Sequence, residues 1–193
     1  MIFKLAMRLI LTAACLGAAL PARAELYNFD KLHTQILFFV NHLGFSNTSG
    51  RFLKFDGGFD FEKSDFSRSR VNVTIEAASI EMDNDRWNTN LRGKDFLNAA
   101  KFPEITFRST KITTTGEKTF DVLGDLTMLD ATHPVVLHVR FNKAGAQLAT
   151  GDFIAGFSAT ASLKRSQWGM KYAIPFIGDE VEIRIEVEGS FRR

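Results

Sequence analysis

The 193-residue chain has a single cysteine, Cys15, and it lies in a segment that reads as removable. Met1 to Ala24 opens with Lys4 and Arg8, runs through an apolar stretch from Leu9 to Leu20, and closes on Ala22-Arg23-Ala24. That ending is the small-x-small pattern cut by signal peptidase. The apolar stretch is shorter than the roughly 20 residues needed to span a bilayer, so a retained anchor fits less well. A lipoprotein signal also fits less well, because Thr12 stands where an aliphatic residue is wanted three positions before Cys15. The expectation is export to the periplasm with cleavage after Ala24, leaving residues 25–193 as one domain. A mature chain without cysteine has no disulfide, no thiolate nucleophile and no cysteine metal site.

A strong net charge is the next absence. Removing Lys4, Arg8 and Arg23 from the 24 basic residues leaves 21 against 22 acidic ones, a net charge of about −1. The apparent basicity belongs to the leader, and with it goes the electrostatic case for nucleic-acid binding. Catalytic signatures are missing too. There is no Gly-x-Ser-x-Gly elbow, although Gly44-Phe45-Ser46 lies near that pattern, and no glycine-rich loop leads into a helix to cradle phosphate. The four histidines, His33, His42, His133 and His138, form no His-Glu-x-x-His pair. His33 and His42 are nine residues apart along one strand, His138 sits on the polar side of an alternating strand, and His133 precedes a proline at an expected turn. No metal and no cofactor is expected. Asp83, Asp85 and Asp95 fall in an irregular segment, where carboxylates serve as caps or stay solvated more often than they do acid–base work.

Tyrosine and tryptophan are scarce, two of each, whereas eighteen of the nineteen phenylalanines lie beyond the leader. Two explanations stand open: a well-filled core, since aromatics bury large area, or a cavity lined by apolar surface with few polar handles.

Short segments alternating apolar and polar residues dominate the mature chain. Val181, Ile183, Ile185 and Val187 interleave with Glu182, Arg184, Glu186 and Glu188, the mark of a half-buried strand. Similar runs occupy 35–41, 52–61, 70–75, 105–114, 119–128, 135–141 and 152–163. Gly57-Gly58, Thr115-Gly116-Glu117 and Lys143-Ala144-Gly145 read as the turns between them. Eight or so strands with short connections predict an antiparallel sandwich or barrel. Only 83–100 departs from this pattern. Leu91, Phe96 and Leu97 recur at helical spacing and Gly93 interrupts, predicting one or two short helices lying over the sheet, until Pro103 restarts the strands.

Several local patterns combine into a resemblance. They are His33 with Ile36-x-Phe38-x-Val40-x-His42-Leu43-Gly44; Gly50-x-Phe52; Leu91-Arg92 through Asp95-Phe96; Phe102-Pro103-x-Ile105-x-Phe107; Gly124-Asp125-Leu126-Thr127; Thr132-His133-Pro134-Val135; and Arg165 to Trp168-Gly169. In order and spacing the chain resembles the YceI-like family of exported polyisoprenoid-binding proteins from about Tyr27 to Val187. Two departures are visible: Gln167 where the family often has a carboxylate, and Asp130-Ala131 where it usually has a glycine.

The resemblance implies an all-β, lipocalin-like extended antiparallel β-barrel with a short helical cover. Its long apolar pore would hold an isoprenoid chain, a polyprenyl or quinone tail. An eight-stranded barrel is just wide enough for its own side chains or one slender ligand. Alternation then nominates Ile36, Phe38, Val40, Phe52, Val73, Ile75, Phe107, Leu126 and Phe157 as lining, with Leu91 and Phe96 on the cover. His42, Arg92, Arg165 and Trp168 are candidates for head-group contacts. Arg165 beside Trp168 is equally suited to closing a barrel end through backbone carbonyls. The expected function is a non-catalytic periplasmic carrier whose partner is an isoprenoid lipid, with no nucleic acid and with transient membrane contact left open. Two rivals remain at this point: an enzyme acting on an amphipathic isoprenoid substrate, and a stress-response or interaction module whose core is packed solid.

Overall fold

The computed structural model describes residues 25–191, so the expected signal peptide lies outside the described residues. Eleven strands follow one another: β1 Glu25–Phe29, β2 Gln35–His42, β3 Ser46–Phe52, β4 Phe55–Phe61, β5 Arg70–Glu76, β6 Ile80–Glu81, β7 Glu104–Thr114, β8 Thr119–Met128, β9 Ala131–Ala146, β10 Phe153–Lys164 and β11 Ile177–Phe191. One α-helix, α1 Asp85–Arg92, stands between β6 and β7.

The strands occupy eight lanes. β1 and β2 lie end to end along β11, with Phe29 opposite Gly189 and Gln35 opposite Glu186. β3 and β4 share the next lane, and β5 and β6 the third, each lane kinked rather than ended. β7 to β11 fill one lane each, and β1 pairs with both β4 and β11, which closes the ring. Every pairing is antiparallel and every lane lies beside its neighbour in the chain, the order of an up-and-down barrel. The all-β barrel with a short helical cover is therefore present.

The kinks have local causes. At Asp30–Thr34 the Asp30 carboxylate accepts from the backbone N–H of Leu32 (2.9 Å) and His33 (3.3 Å), an Asx-type turn. The ladder gap beside it is filled by the Thr34 hydroxyl, which donates to the Glu188 carbonyl and accepts from the Glu188 N–H. Both backbone groups thus keep partners where the strand has left.

Several expected boundaries move. Gly57-Gly58 is no turn: both glycines sit inside β4, where a Cβ would overlap the carbonyl oxygens of Asn72 and Tyr27. The break falls instead at Leu53-Lys54, dividing the expected 52–61 strand. Lys143-Ala144-Gly145 also lies within a strand, since β9 continues to Ala146 opposite Phe153. His133, expected in a turn, is in β9 opposite Leu126. β1, β3 and the two-residue β6 are strands that the alternation did not mark.

Aromatic side chains pack across the end of the barrel away from α1. Tyr27 stacks on Phe59 at 5.1 Å, Phe61 meets Phe157 edge-on at 5.1 Å, and Phe66 meets Phe120 at 4.8 Å. Phe141 touches Phe61, Phe66 and Phe157, so the rings form one continuous plug. Centroid separations of 4.5–7 Å are those at which aromatic pairs attract beyond simple burial.

Candidate functional site: an apolar cavity with one rim

Above this floor the barrel is hollow. A cavity of about 490 Å³ extends between the walls toward α1, within the 300–1,000 Å³ range of small-ligand pockets. Its lining follows from strand alternation. Ile36, Phe38 and Val40 of β2 point inward, as do Val73 and Ile75 of β5 and Val181, Ile183 and Ile185 of β11. The glutamates and arginine between the β11 residues face outward.

All eleven residues nominated as lining border this cavity. Besides those of β2 and β5 they are Phe52, Phe107, Leu126 and Phe157 on the walls, with Leu91 and Phe96 from the cover. Phe157 belongs to the floor as well, through its contacts with Phe59 and Phe61. Two large wall rings leave the lumen clear because of glycines. Phe38 is registered opposite Gly50, and the ring occupies the space where a Cβ of Gly50 would stand. Phe107 lies over Gly124 in the same way. Each ring is laid along the wall by the missing side chain beside it, a pairing known to stabilise glycine in sheets.

α1 is held over the opening by polar anchors. The Asn84 side chain caps its first turn by accepting from the Trp87 N–H at 3.1 Å. The buried Asn88 accepts from the Met82 N–H and donates to Glu81, tying the helix to β6. Arg92 donates to the Ile80 carbonyl at 3.1 Å and does not border the cavity. The Glu81 carboxyl lies below its ordinary range because Asn88 and the Asp83 N–H donate to it. The role of Asn88 was not legible beforehand: an asparagine in a polar helix reads as surface until its turn of helix is placed.

Arg165 borders the cavity yet is only 4% exposed. Its guanidinium donates to the carbonyls of Gly178 (2.8 Å), Met170 (2.7 Å), Tyr172 (2.9 Å) and Ile177 (3.0 Å). It ties down the strap from Met170 to Gly178 that forms one side of the rim. Burial lowers its pKa, and neighbouring Asp179 works the other way. Burial also raises Asp179, but bonds from the Ser166 N–H and hydroxyl, with Arg165 and Lys164 nearby, bring the carboxyl below its usual value. Trp168 is buried behind the wall, its indole N–H donating to the Leu126 carbonyl and its ring edge-on to His133. Of the four head-group candidates, the structure therefore leaves His42 on the lining with no backbone anchoring duty. Thr48 and Asn90, which the sequence did not single out, join it there.

Among the described residues, no buried side-chain nitrogen or oxygen lacks a hydrogen-bond partner. One group with metal-ligand atoms lies together among them: Asp30, His33 and Glu188, within 4.8 Å of one another on the polar side of β11. There His33 is already bonded to Asp30 at 2.7 Å. That bond raises the pKa of His33 and lowers that of Asp30.

The sequence from 27 to 189 matches the YceI-like domain. The chain belongs to the YceI-like family. A "UPF0312 protein" of Azotobacter vinelandii is 36% identical over 191 residues, covering 98% of both chains. Among solved structures, BcnA of Burkholderia cenocepacia superposes with a TM-score of 0.75 at 24% identity, over 83% of this chain and 98% of its own. A polyisoprenoid binding domain from Saccharophagus degradans superposes with a TM-score of 0.62 at 14% identity, over 87% and 100%. These two likenesses are of fold.

Proposed function

We propose that this YceI-like protein is a non-catalytic periplasmic carrier that holds the chain of an isoprenoid lipid, a polyprenyl or quinone tail, in its barrel. The observation that carries this reading is the cavity of about 490 Å³ walled by aliphatic and phenylalanine side chains and floored by stacked rings. Such a space offers a slender hydrocarbon contact on all sides and very few hydrogen bonds. Each methylene moved out of water gains about 0.8 kcal/mol, so a chain of several isoprene units is strongly driven inside. The shared fold of a domain named for polyisoprenoid binding supports the same ligand class. The expected leader supports export. Of the polar groups on the lining, Thr34, Ser69 and Arg165 are engaged with backbone groups, whereas His42, Thr48 and Asn90 are placed to meet a head group and form no acid–base or nucleophilic set among themselves.

The test is mass spectrometry of an organic extract from protein purified out of the periplasm without detergent. A polyprenyl or quinone species in a fixed ratio to protein is expected. A Phe38→Asp variant should lose it while keeping the β-sheet circular dichroism of the parent. An empty extract from the parent, or a folded variant that keeps its lipid, contradicts the reading.

A further inference from the structure

The exposed aromatic residues are not scattered. Among the described residues four large aromatics are exposed, Phe45 at 89%, Phe176 at 65%, Tyr172 at 58% and Trp87 at 41%. Trp87 and Tyr172 border the cavity, the Phe45 N–H donates to the carbonyl of the lining residue His42, and Phe176 precedes the lining residue Ile177. Phe45 is at the β2–β3 hairpin tip beside the exposed Leu43, whose N–H donates to the Phe176 carbonyl at 2.8 Å. Trp87 lies on α1 with its ring 6.5 Å from that of His42. Tyr172, on the strap held by Arg165, meets Phe96 at 5.5 Å. The other exposed large apolar residues, Leu26, Leu32, Leu53, Val136 and Leu148, are single aliphatics on other segments.

Two of the rim residues have a double placement. Trp87 and Tyr172 are exposed and also line the cavity, so apolar surface runs unbroken from the lumen to the outside. We propose that this rim is a membrane-docking surface that seats the cavity mouth on a lipid bilayer, with Phe45, Leu43 and Phe176 entering the interfacial layer. The proposal rests on the carrier reading and adds how cargo is passed. A hydrocarbon leaving the cavity through open water loses its burial, whereas a mouth seated on the bilayer lets it slide between two apolar phases.

The composition favours a bilayer over a protein partner. Tryptophan and tyrosine concentrate at membrane–water interfaces, where an apolar ring meets a polar edge. A protruding tip carrying Leu43, Gly44 and Phe45 suits a deformable lipid layer better than a preformed protein groove. Charge around the rim is nearly balanced: Asp83, Asp85 and Asp95 stand with Arg86, Arg92 and Lys94 on the α1 segment, the hairpin tip has no charge, and the strap adds the single cation Lys171. Docking should therefore draw on apolar contact and be nearly insensitive to salt.

The test is flotation of the purified protein with vesicles of phosphatidylethanolamine and phosphatidylglycerol. It compares the parent, the double variant F45D/F176D, and L148D as a fully exposed control away from the rim. Binding of N-phenyl-1-naphthylamine in vesicle-free buffer reports the cavity separately. The parent and L148D should float alike and change less than about two-fold with salt, and F45D/F176D should partition at least about ten-fold less. All three should bind the naphthylamine equally. A parent that stays with the soluble fraction, or a double variant that floats like the parent, overturns the proposal. So does a parent dimer that F45D/F176D dissociates, which would assign the rim to a second copy. Loss of naphthylamine binding in all three would count against the carrier reading, while flotation would still decide the rim.

Discussion

The two ends of this barrel use the same side chain in opposite ways. At the floor, phenylalanines face one another: Phe61, Phe66, Phe120, Phe141 and Phe157 pack ring against ring. Toward the mouth, Phe38 and Phe107 face glycines across the sheet and lie along the wall, leaving the lumen open. Phenylalanine content therefore says nothing by itself about a solid or a hollow core, and a facing glycine alone does not decide it either: Phe59 lies over Gly189 yet belongs to the floor, because Tyr27 and Phe157 pack on it. The two explanations for the phenylalanine excess each hold for one end of the barrel.

The contrast can be broken most forcefully at the floor. Phe141→Ala removes a ring packed on three others and should cost about 3–5 kcal/mol in denaturant unfolding, with naphthylamine binding at 25 °C retained by the folded fraction. Val73→Ala, on a wall that already borders empty space, should cost less than about 1 kcal/mol, because fewer contacts are lost there. Equal losses at both sites would mean that the two ends are packed alike.

A second lever is the strap. Arg165→Ala leaves four carbonyls without their donor and should destabilise by about 2–4 kcal/mol, with early proteolytic cutting between Met170 and Gly178. Arg165→Lys cannot reach all four carbonyls from one ammonium and should rescue only part of the loss.

Glycine substitution sharpens the comparison from the other side. Gly50→Ala pushes the Phe38 ring off the wall, which should cost about 1–3 kcal/mol as overpacking and weaken naphthylamine binding as the lumen narrows. If Gly50→Ala binds the dye as the parent does, the glycine–ring pairing is not what keeps the lumen open.

The smallest effect belongs to the His33–Asp30 pair, which lies outside both regions. The folded His33 pKa is above its ordinary value of 6.5, so its contribution to stability is full below about pH 6.5 and fades as pH rises through the folded value. Asp30 is lowered, so its contribution is present above its ordinary value of 3.8 and fades as pH falls below it. An NMR titration should place the His33 midpoint above 6.5 and return it toward 6.5 in Asp30→Asn, without changing dye binding.

Period-two alternation carried most of the barrel, because β5, β7, β8, β10 and β11 each set a dry face against a wet one. It also nominated the wall, since inward facing and apolar coincide there. It missed β3, whose Ser46-Asn47-Thr48-Ser49-Gly50-Arg51 run is polar because it lies at the rim and yields its inner surface to the Phe38 ring. It misplaced Gly57-Gly58 because two glycines signal a turn, whereas these allow close strand approach. The polar mouth was the least legible part. Whether an arginine meets a ligand or its own backbone depends on carbonyls that only the closed strap brings together, as at Arg165.

Calorimetric titration with a homologous series of polyprenols tests the central claim most directly, that a hollow aliphatic barrel above an aromatic floor measures out a hydrocarbon chain. Affinity should rise with each added isoprene unit until the chain reaches the floor and then level off, with little preference among longer chains. Affinity that ignores chain length, or no binding at any length by the folded protein, would contradict it.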